Sequence, residues 1–396
     1  MKRFVLGLQL CLLIAVIALL NNCARTPSAL PKQIIPTPST QRIALLLPLT
    51  GQYEPYAKAI KNGFFTAFYQ KKKETGVAPD IFVLDTNGKN IQTVYQQAVS
   101  QGANFIVGPL DKESVAVLAN SDVVKVPVLA LNTTPKDEIS NSALFEFALS
   151  PTDEAKQAAD KAWQDNRRNI IVIAPDDAWG KRLADAFITQ WKALGGHVIG
   201  KQTYTTITEL AGNMRDILGI TQAYTNQHQL KNILKTNMRF IPERRQDFDG
   251  IFLVASPKMA SQIQPLLQFY FAGDVPVYAT SEIYTNTSQA THNKDLDGIL
   301  FCDMPWTLTP NQLTPDYLNK IQAQIQTLWP KTYAEQAKFY AFGVDAFYLT
   351  TMLNQLQSDA TAGLRGATGV LYVTPQHVVN RQLEWAKIQD GEAKLI

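Results

Sequence analysis

Arg42-Ile43-Ala44-Leu45-Leu46-Leu47-Pro48-Leu49-Thr50-Gly51 is the stretch from which the rest of the chain is read. Its apolar run, Ile43 to Leu47, is ended by Pro48. A strand with one wet face would alternate apolar and polar residues, so an unbroken run marks a strand covered on both faces. Thr50-Gly51 turns the chain, and Ala59, Ile60, Phe64, Ala67 and Phe68 then recur at helical spacing between Tyr56 and Tyr69. A doubly covered strand followed by an amphipathic helix is the opening of a βαβ unit.

The unit recurs downstream. Strands are expected at 81–84, 105–107 and 127–131, with helices at 91–100 and 112–120 between them. After Leu149-Ser150-Pro151 a second cycle begins, with helix 153–165, strand 170–174 and a long helix 177–194 ended by Gly195-Gly196. A strand from Val198 towards Tyr204, helices 209–223 and 227–237, strand 250–254, helix 257–270 and strand 275–279 continue it. Strand 298–301, helices 314–328 and 335–356, and short strands 370–373 and 383–388 complete the pattern. Ala360 to Gly369, rich in small residues, suits a hinge.

The fold class is therefore α/β, with two doubly wound parallel-sheet lobes joined by several hinge crossings. We place residues 42–149 with about 300–358 in lobe 1, and 150–299 with about 359–396 in lobe 2. At 396 residues the chain is long enough for two cores of ~100–200 residues each. Ligands of such sheets sit beyond the carboxyl ends of the strands. The candidate cleft residues are therefore Thr50 and Gly51, Pro109 and Leu110, Asn132 and Thr133, and Ser281 and Glu282. Trp179 joins them at the start of the long second-lobe helix. Exposed Trp and Arg are common contact anchors, so Trp179 and Arg182 could serve a cleft or a partner. A packed Trp behind an Asp helix cap explains the same residues without function.

The first 41 residues are of a different kind. Lys2-Arg3 precede an apolar segment from Phe4 to Leu20, then Asn21-Asn22-Cys23. A basic start, an apolar stretch and a break form an export signal, residues 1–22. Cys23 resembles the lipobox cysteine of bacterial lipoproteins, which receives a diacylglycerol. Asn21 and Asn22 stand where small residues are usual, so an uncleaved anchor is the competing expectation. Residues 23–41, rich in Pro, Ser, Thr and Gln, form a flexible linker. Several acyl chains anchor durably where one binds reversibly.

Composition excludes some classes. Lys+Arg is 37 against Asp+Glu 34, a net +3, of which two charges belong to Lys2 and Arg3. A nearly neutral body is not a dedicated nucleic-acid binder. The four histidines, His197, His228, His292 and His377, are scattered, with no zinc-type spacing. There is no nucleophile elbow, phosphate loop or dinucleotide fingerprint, so no catalytic residue, metal or cofactor is expected. Cys302, in an apolar run, is expected to be a small buried hydrophobe.

Several segments carry a family resemblance. Ile43 to Gln52, Val107-Gly108-Pro109-Leu110, Pro127 to Asn132 and Trp179-Gly180-Lys181-Arg182 resemble the LppC/LpoA family of penicillin-binding-protein activators. So do Tyr278-Ala279-Thr280-Ser281, Asp303-Met304-Pro305-Trp306 and Phe339 to Phe347. The resemblance runs from about Arg42 to the C-terminus. It implies a type I periplasmic-binding-protein-like fold and an outer-membrane lipoprotein on the periplasmic face. The partner it implies is a class A penicillin-binding protein, a peptidoglycan synthase that this non-enzymatic protein would activate. Long members carry a helical domain ahead of the α/β body, and only the linker precedes Arg42 here. A substrate-binding lipoprotein that captures an amino acid or cell-wall fragment between its lobes is the alternative. Leu110 speaks against it, because amino-acid binders of this fold tend to carry hydroxyls at that turn and an apolar side chain can neither accept from an ammonium nor donate to a carboxylate.

Overall fold

The computed structural model describes residues 41–134, 141–236, 239–285, 293–308, 314–359 and 361–396. Cys23 and the signal and linker residues up to 40 lie outside the described residues. The chain first lays down β1 (Arg42–Leu47), α1 (Glu54–Thr75), β2 (Asp80–Asp85), α2 (Ile91–Ser100), β3 (Phe105–Val107), α3 (Lys112–Ala119), β4 (Val128–Ala130) and β5 (Leu144–Phe147). β1 pairs in parallel with β2 and β3, and β3, β4 and β5 continue the parallel order. The unbroken apolar run of β1 is explained by its two faces. Ile43, Leu45 and Leu47 join the core around α1, whereas Ala44 and Leu46 join the core around α2 and α3.

The second lobe follows with α4 (Pro151–Gln164), β6 (Asn169–Pro175), α5 (Ala178–Ala193), β7 (His197–Tyr204), α6 (Ile207–Ile217), α7 (Ile220–Leu234), β8 (Gly250–Leu253), α8 (Pro257–Phe269), β9 (Val277–Ala279) and β10 (Leu300–Asp303). Then come α9 (Pro305–Leu308), α10 (Asp316–Leu328), α11 (Pro330–Ser358), β11 (Leu364–Arg365), β12 (Val370–Val373), β13 (Val378–Gln382), β14 (Glu384–Gln389) and β15 (Glu392–Leu395). The first sheet runs β11-β12-β13-β5-β4-β3-β1-β2 and the second β15-β14-β10-β9-β8-β6-β7. Most pairings are parallel, as a doubly wound α/β chain requires.

The lobes exchange chain at other places than expected. β10 belongs to the second sheet, between β9 and β14, and β11 to β13 belong to the first, where β13 pairs with β5. Residues 300–303 and 364–382 thus lie in the lobes opposite to those assigned from sequence. The reason is β5. Its four residues, Leu144-Phe145-Glu146-Phe147, are too short and too charged to announce a strand, yet its edge is what β13 completes. The crossing itself is one residue long. Leu383 separates β13 from β14, and Gln157 clamps it, accepting from Leu383 N at 2.9 Å and donating to Arg381 O at 2.9 Å.

The helix break between β7 and β8 also shifts, from the region of residues 224–226 to Gly219. This glycine adopts φ +75°, the left-handed region that side chains rarely enter. Helices α10 and α11 pack with α1 over the first sheet. A Cβ on Gly63 would fall 2.1 Å from Tyr340 O, and one on Gly343 2.0 Å from Ile60 O. Paired glycines therefore let α1 and α11 touch backbone to backbone.

Candidate functional site

The turns that follow the strands do meet at the lobe boundary, but not as one set. Leu110, Asn132 and Thr133 line a recess of about 310 Å³ together with Lys112, Phe339 and, from the second lobe, Arg182. Asn132 is fixed in the wall, since its Nδ2 donates to Leu110 O at 2.9 Å and its Oδ1 accepts from Thr133 N at 3.0 Å. A neighbouring recess of about 640 Å³ on the first lobe shares Leu110, Lys112 and Phe339 and adds Tyr53 and Tyr56.

The other expected residues serve the frame. Thr50 and Gly51 are exposed on the β1 turn, outside the lining of both recesses. Asp85 organises that turn, accepting from Leu49 N at 2.8 Å and from the Thr50 hydroxyl at 3.3 Å. Burial opposes its charge, but those hydrogen bonds and Lys89 outweigh it and hold the Asp85 carboxyl below its usual range. Pro109 is buried behind Leu110. Trp179 is half-buried against the α4–α5 core rather than in the cleft, whereas Arg182, one turn on, does reach the cleft. Asp177 caps α5 through Gly180 N at 2.7 Å, so the helix start has a structural explanation.

Ser281 and Glu282 lead to the feature that sequence did not reveal. Ser281 is buried, and its N–H donates to Glu154 Oε2 at 3.0 Å. Its hydroxyl accepts from Lys338 Nζ at 2.7 Å. Lys338 also lies 3.3 Å from Asp303 Oδ1, and Arg381 Nη2 lies 3.7 Å from Glu154 Oε1. Two acids of the second lobe are thus answered by two bases of the first. Burial alone would push the Lys338 ammonium down, but Asp303, Glu154 and Glu282 outweigh it and raise it. Burial pushes the Glu154 carboxyl up, against Lys338 and Arg381. Beside this cluster Asp345, fully buried, accepts from Ala367 N at 2.7 Å, Thr368 N at 2.7 Å and the Thr368 hydroxyl at 2.6 Å.

These charges left a signal in sequence that was missed. Glu154 repeats with Ala158 and Ala162 on the stripe of α4 that is buried, so an acid stands at a core position. Asp345 interrupts an otherwise uncharged run from Ala341 to Leu349. Neither has a motif: Asp345 finds its donors some 22 residues on in the same lobe, and Glu154 is answered by Ser281 of its own lobe and Arg381 of the other. Cys302 is fully buried and burial raises its thiol, which removes it as a nucleophile. Among the described residues no three His, Cys, Asp or Glu side chains converge to hold a metal.

The profile of the family described as "LppC putative lipoprotein" matches residues 25–391. The chain belongs to the LppC family. This LppC chain is 28% identical over 348 residues to penicillin-binding protein activator LpoA of Photobacterium profundum, which covers 87% of this chain and 55% of that protein. It therefore spans about half the length of the curated relatives it matches. The C-domain of LpoA (YraM) from Haemophilus influenzae, described as a regulator of PBP1A, superposes with a TM-score of 0.70 at 26% identity. That match covers 90% of the LppC chain and 99% of the domain. A chain assigned to a branched-chain amino acid ABC transporter of Chromobacterium violaceum superposes at 0.64, with 25% identity, over 88% of the LppC chain and 99% of its own. The two-lobed LppC body thus has the periplasmic-binding-protein-like fold.

Proposed function

We propose that this LppC protein activates a class A penicillin-binding protein, held on the periplasmic face of the outer membrane by a lipid on Cys23. The observation that carries this reading is the match to a regulatory C-domain of which 99% is covered. The protein itself is proposed to be no enzyme. Its buried acids and bases neutralise one another across the lobes, an arrangement suited to holding shape rather than to moving protons.

Activation by contact requires a surface with higher affinity for the active state of the synthase than for the inactive one. We assign that surface to α7 and its surroundings. Only Ile220 of this helix is buried, and Leu230, Ile233 and Leu234 are exposed, Ile233 to 74%. Residues 217–242 contain Lys231, Lys235 and Arg239 but no acid, so the fitting partner face is apolar and acidic. Arg244 ties this region to a second exposed apolar segment, its Nε donating to Phe271 O at 2.9 Å. Lone exposed apolar residues are ordinary, but contiguous ones mark contact sites.

The test is capture of purified class A synthases by the full chain, with glycan-polymerisation and crosslinking rates measured beside it. Binding with a raised rate is expected; neither binding nor a rate change rejects the proposal. Cys23→Ser is expected to lower the mass by the lipid and to release the protein from membranes.

A further inference from the structure

We propose that the recess between the lobes is a binding site for a small oxyanion with an apolar body, gripped by Lys112 of the first lobe and Arg182 of the second. Its volume, about 310 Å³, suits a small molecule. Lys112 and Arg182 stand on opposite walls, and among the described residues no Asp or Glu lines the recess. Neither cation has a hydrogen-bond or ion-pair partner among the described residues. Two unpaired positive charges over apolar walls focus a positive potential. The remaining lining divides by chemistry. Asn132, Thr133 and Thr152 can bond an oxyanion, while Leu131, Phe339 and Phe342 can only cover an apolar body.

The same geometry excludes a zwitterion. The acids at the cross-lobe cluster, Glu154 and Asp303, already face Arg381 and Lys338, while Asp111 and Asp153, flanking the lining, are taken by Ser114 N and Lys156. An incoming ammonium therefore finds two cations and, among the described lining residues, no carboxylate. The site selects an acid without its amine, which is the reverse of amino-acid capture. The Arg182 guanidinium offers the planar fork that suits carboxylate and phosphate alike. Because each lobe contributes one cation, an occupant would bridge the two lobes.

The test titrates the full chain calorimetrically, in detergent, with 3-phenylpropanoate, its amide, phenylalanine and phenyl phosphate. The propanoate is expected to bind, with the amide and phenylalanine at least ~10-fold weaker, about 1.4 kcal/mol. Arg182→Gln and Lys112→Gln, both at exposed side chains, are each expected to weaken it to a similar degree, while Thr50→Ala leaves it unchanged. Phenyl phosphate binding that is lost in the same variants supports the site and identifies phosphate as the better oxyanion. No heat with either anion, equal affinity for acid and amide, or indifference to both variants overturns the proposal. No synthase enters these titrations, so their result stands apart from the activator proposal.

Discussion

The Lys338 ammonium, carried by α11 over the first sheet, lies 3.3 Å from Asp303 Oδ1, the last residue of β10 in the second. Asp303 is 5% exposed and Lys338 30%. The pair stands where chain passes between lobes, with Ser281 bonded to Lys338 and Glu154 linking Ser281 to Arg381. Replacing a whole buried pair by apolar groups is often neutral, but removing one partner strands the other charge. The cluster thus acts as a latch whose members are mutually dependent.

Lys338→Met is therefore expected to destabilise the protein by about 2–3 kcal/mol, below the full cost of a buried orphan charge because Lys338 keeps some solvent. Lys338→Arg should retain more than half of the lost stability. Urea unfolding of the full chain measures both. An unchanged midpoint for the Met variant would show that the latch is dispensable.

Asp345 makes stability depend on pH in an unusual direction. Burial pushes its carboxyl up to about 6, against its hydrogen bonds to Thr368 and Ala367 and against Arg381. The folded state then holds a proton that the unfolded state has lost, between the ordinary 3.8 and about 6. Its contribution is present at the acid end of that window and is lost as pH rises through about 6. Asp345→Asn does not titrate, and its Nδ2 would face N–H donors, so it is expected to be less stable at neutral pH by about 2 kcal/mol. That deficit should grow on acidification to about pH 4, by at most ~3 kcal/mol. Unfolding midpoints at the two pH values decide it, and a constant deficit contradicts the assignment.

The α1–α11 contact is set by backbone. Gly63→Ala and Gly343→Ala each place a methyl about 2 Å from a carbonyl oxygen of the facing helix. Each is expected to cost about 1–3 kcal/mol, since overpacking forces the helices apart. Thermal unfolding measures the loss. Gly76→Ala is no control, because Gly76 has φ +70°, but Gly212, with open space around its Cβ, is.

If α7 is the docking face, Ile233→Asp and Leu230→Asp should leave the melting temperature within ~2 °C, as exposed positions rarely affect stability. They should lower synthase capture at least tenfold, the scale of a hot-spot loss near 1.4 kcal/mol. Full capture by both variants would move the docking site elsewhere. Retained capture with lost membrane association would identify the face as a lipid contact instead.

The local elements and their class are written in the residue pattern of the chain. The run Ile43–Leu47 could be read because burial on both faces leaves no polar position in the strand. The cap Asp177 could be read because an Asp ahead of a helix accepts from a backbone N–H three residues on, here Gly180 N. That Leu110, Asn132 and Thr133 stand at strand ends was legible, because a parallel sheet gathers the ends of its strands at one edge, and there they line a recess. Tertiary structure alone decided which sheet β10 and β13 complete, because strand pairing is made by backbone hydrogen bonds that carry no side-chain signature. It alone decided that Ser281 would answer Lys338 rather than a ligand. A charge at a core position announces that a partner is needed, but Glu154 and Arg381 are 227 residues apart, and only the packing of one lobe on the other brings them together.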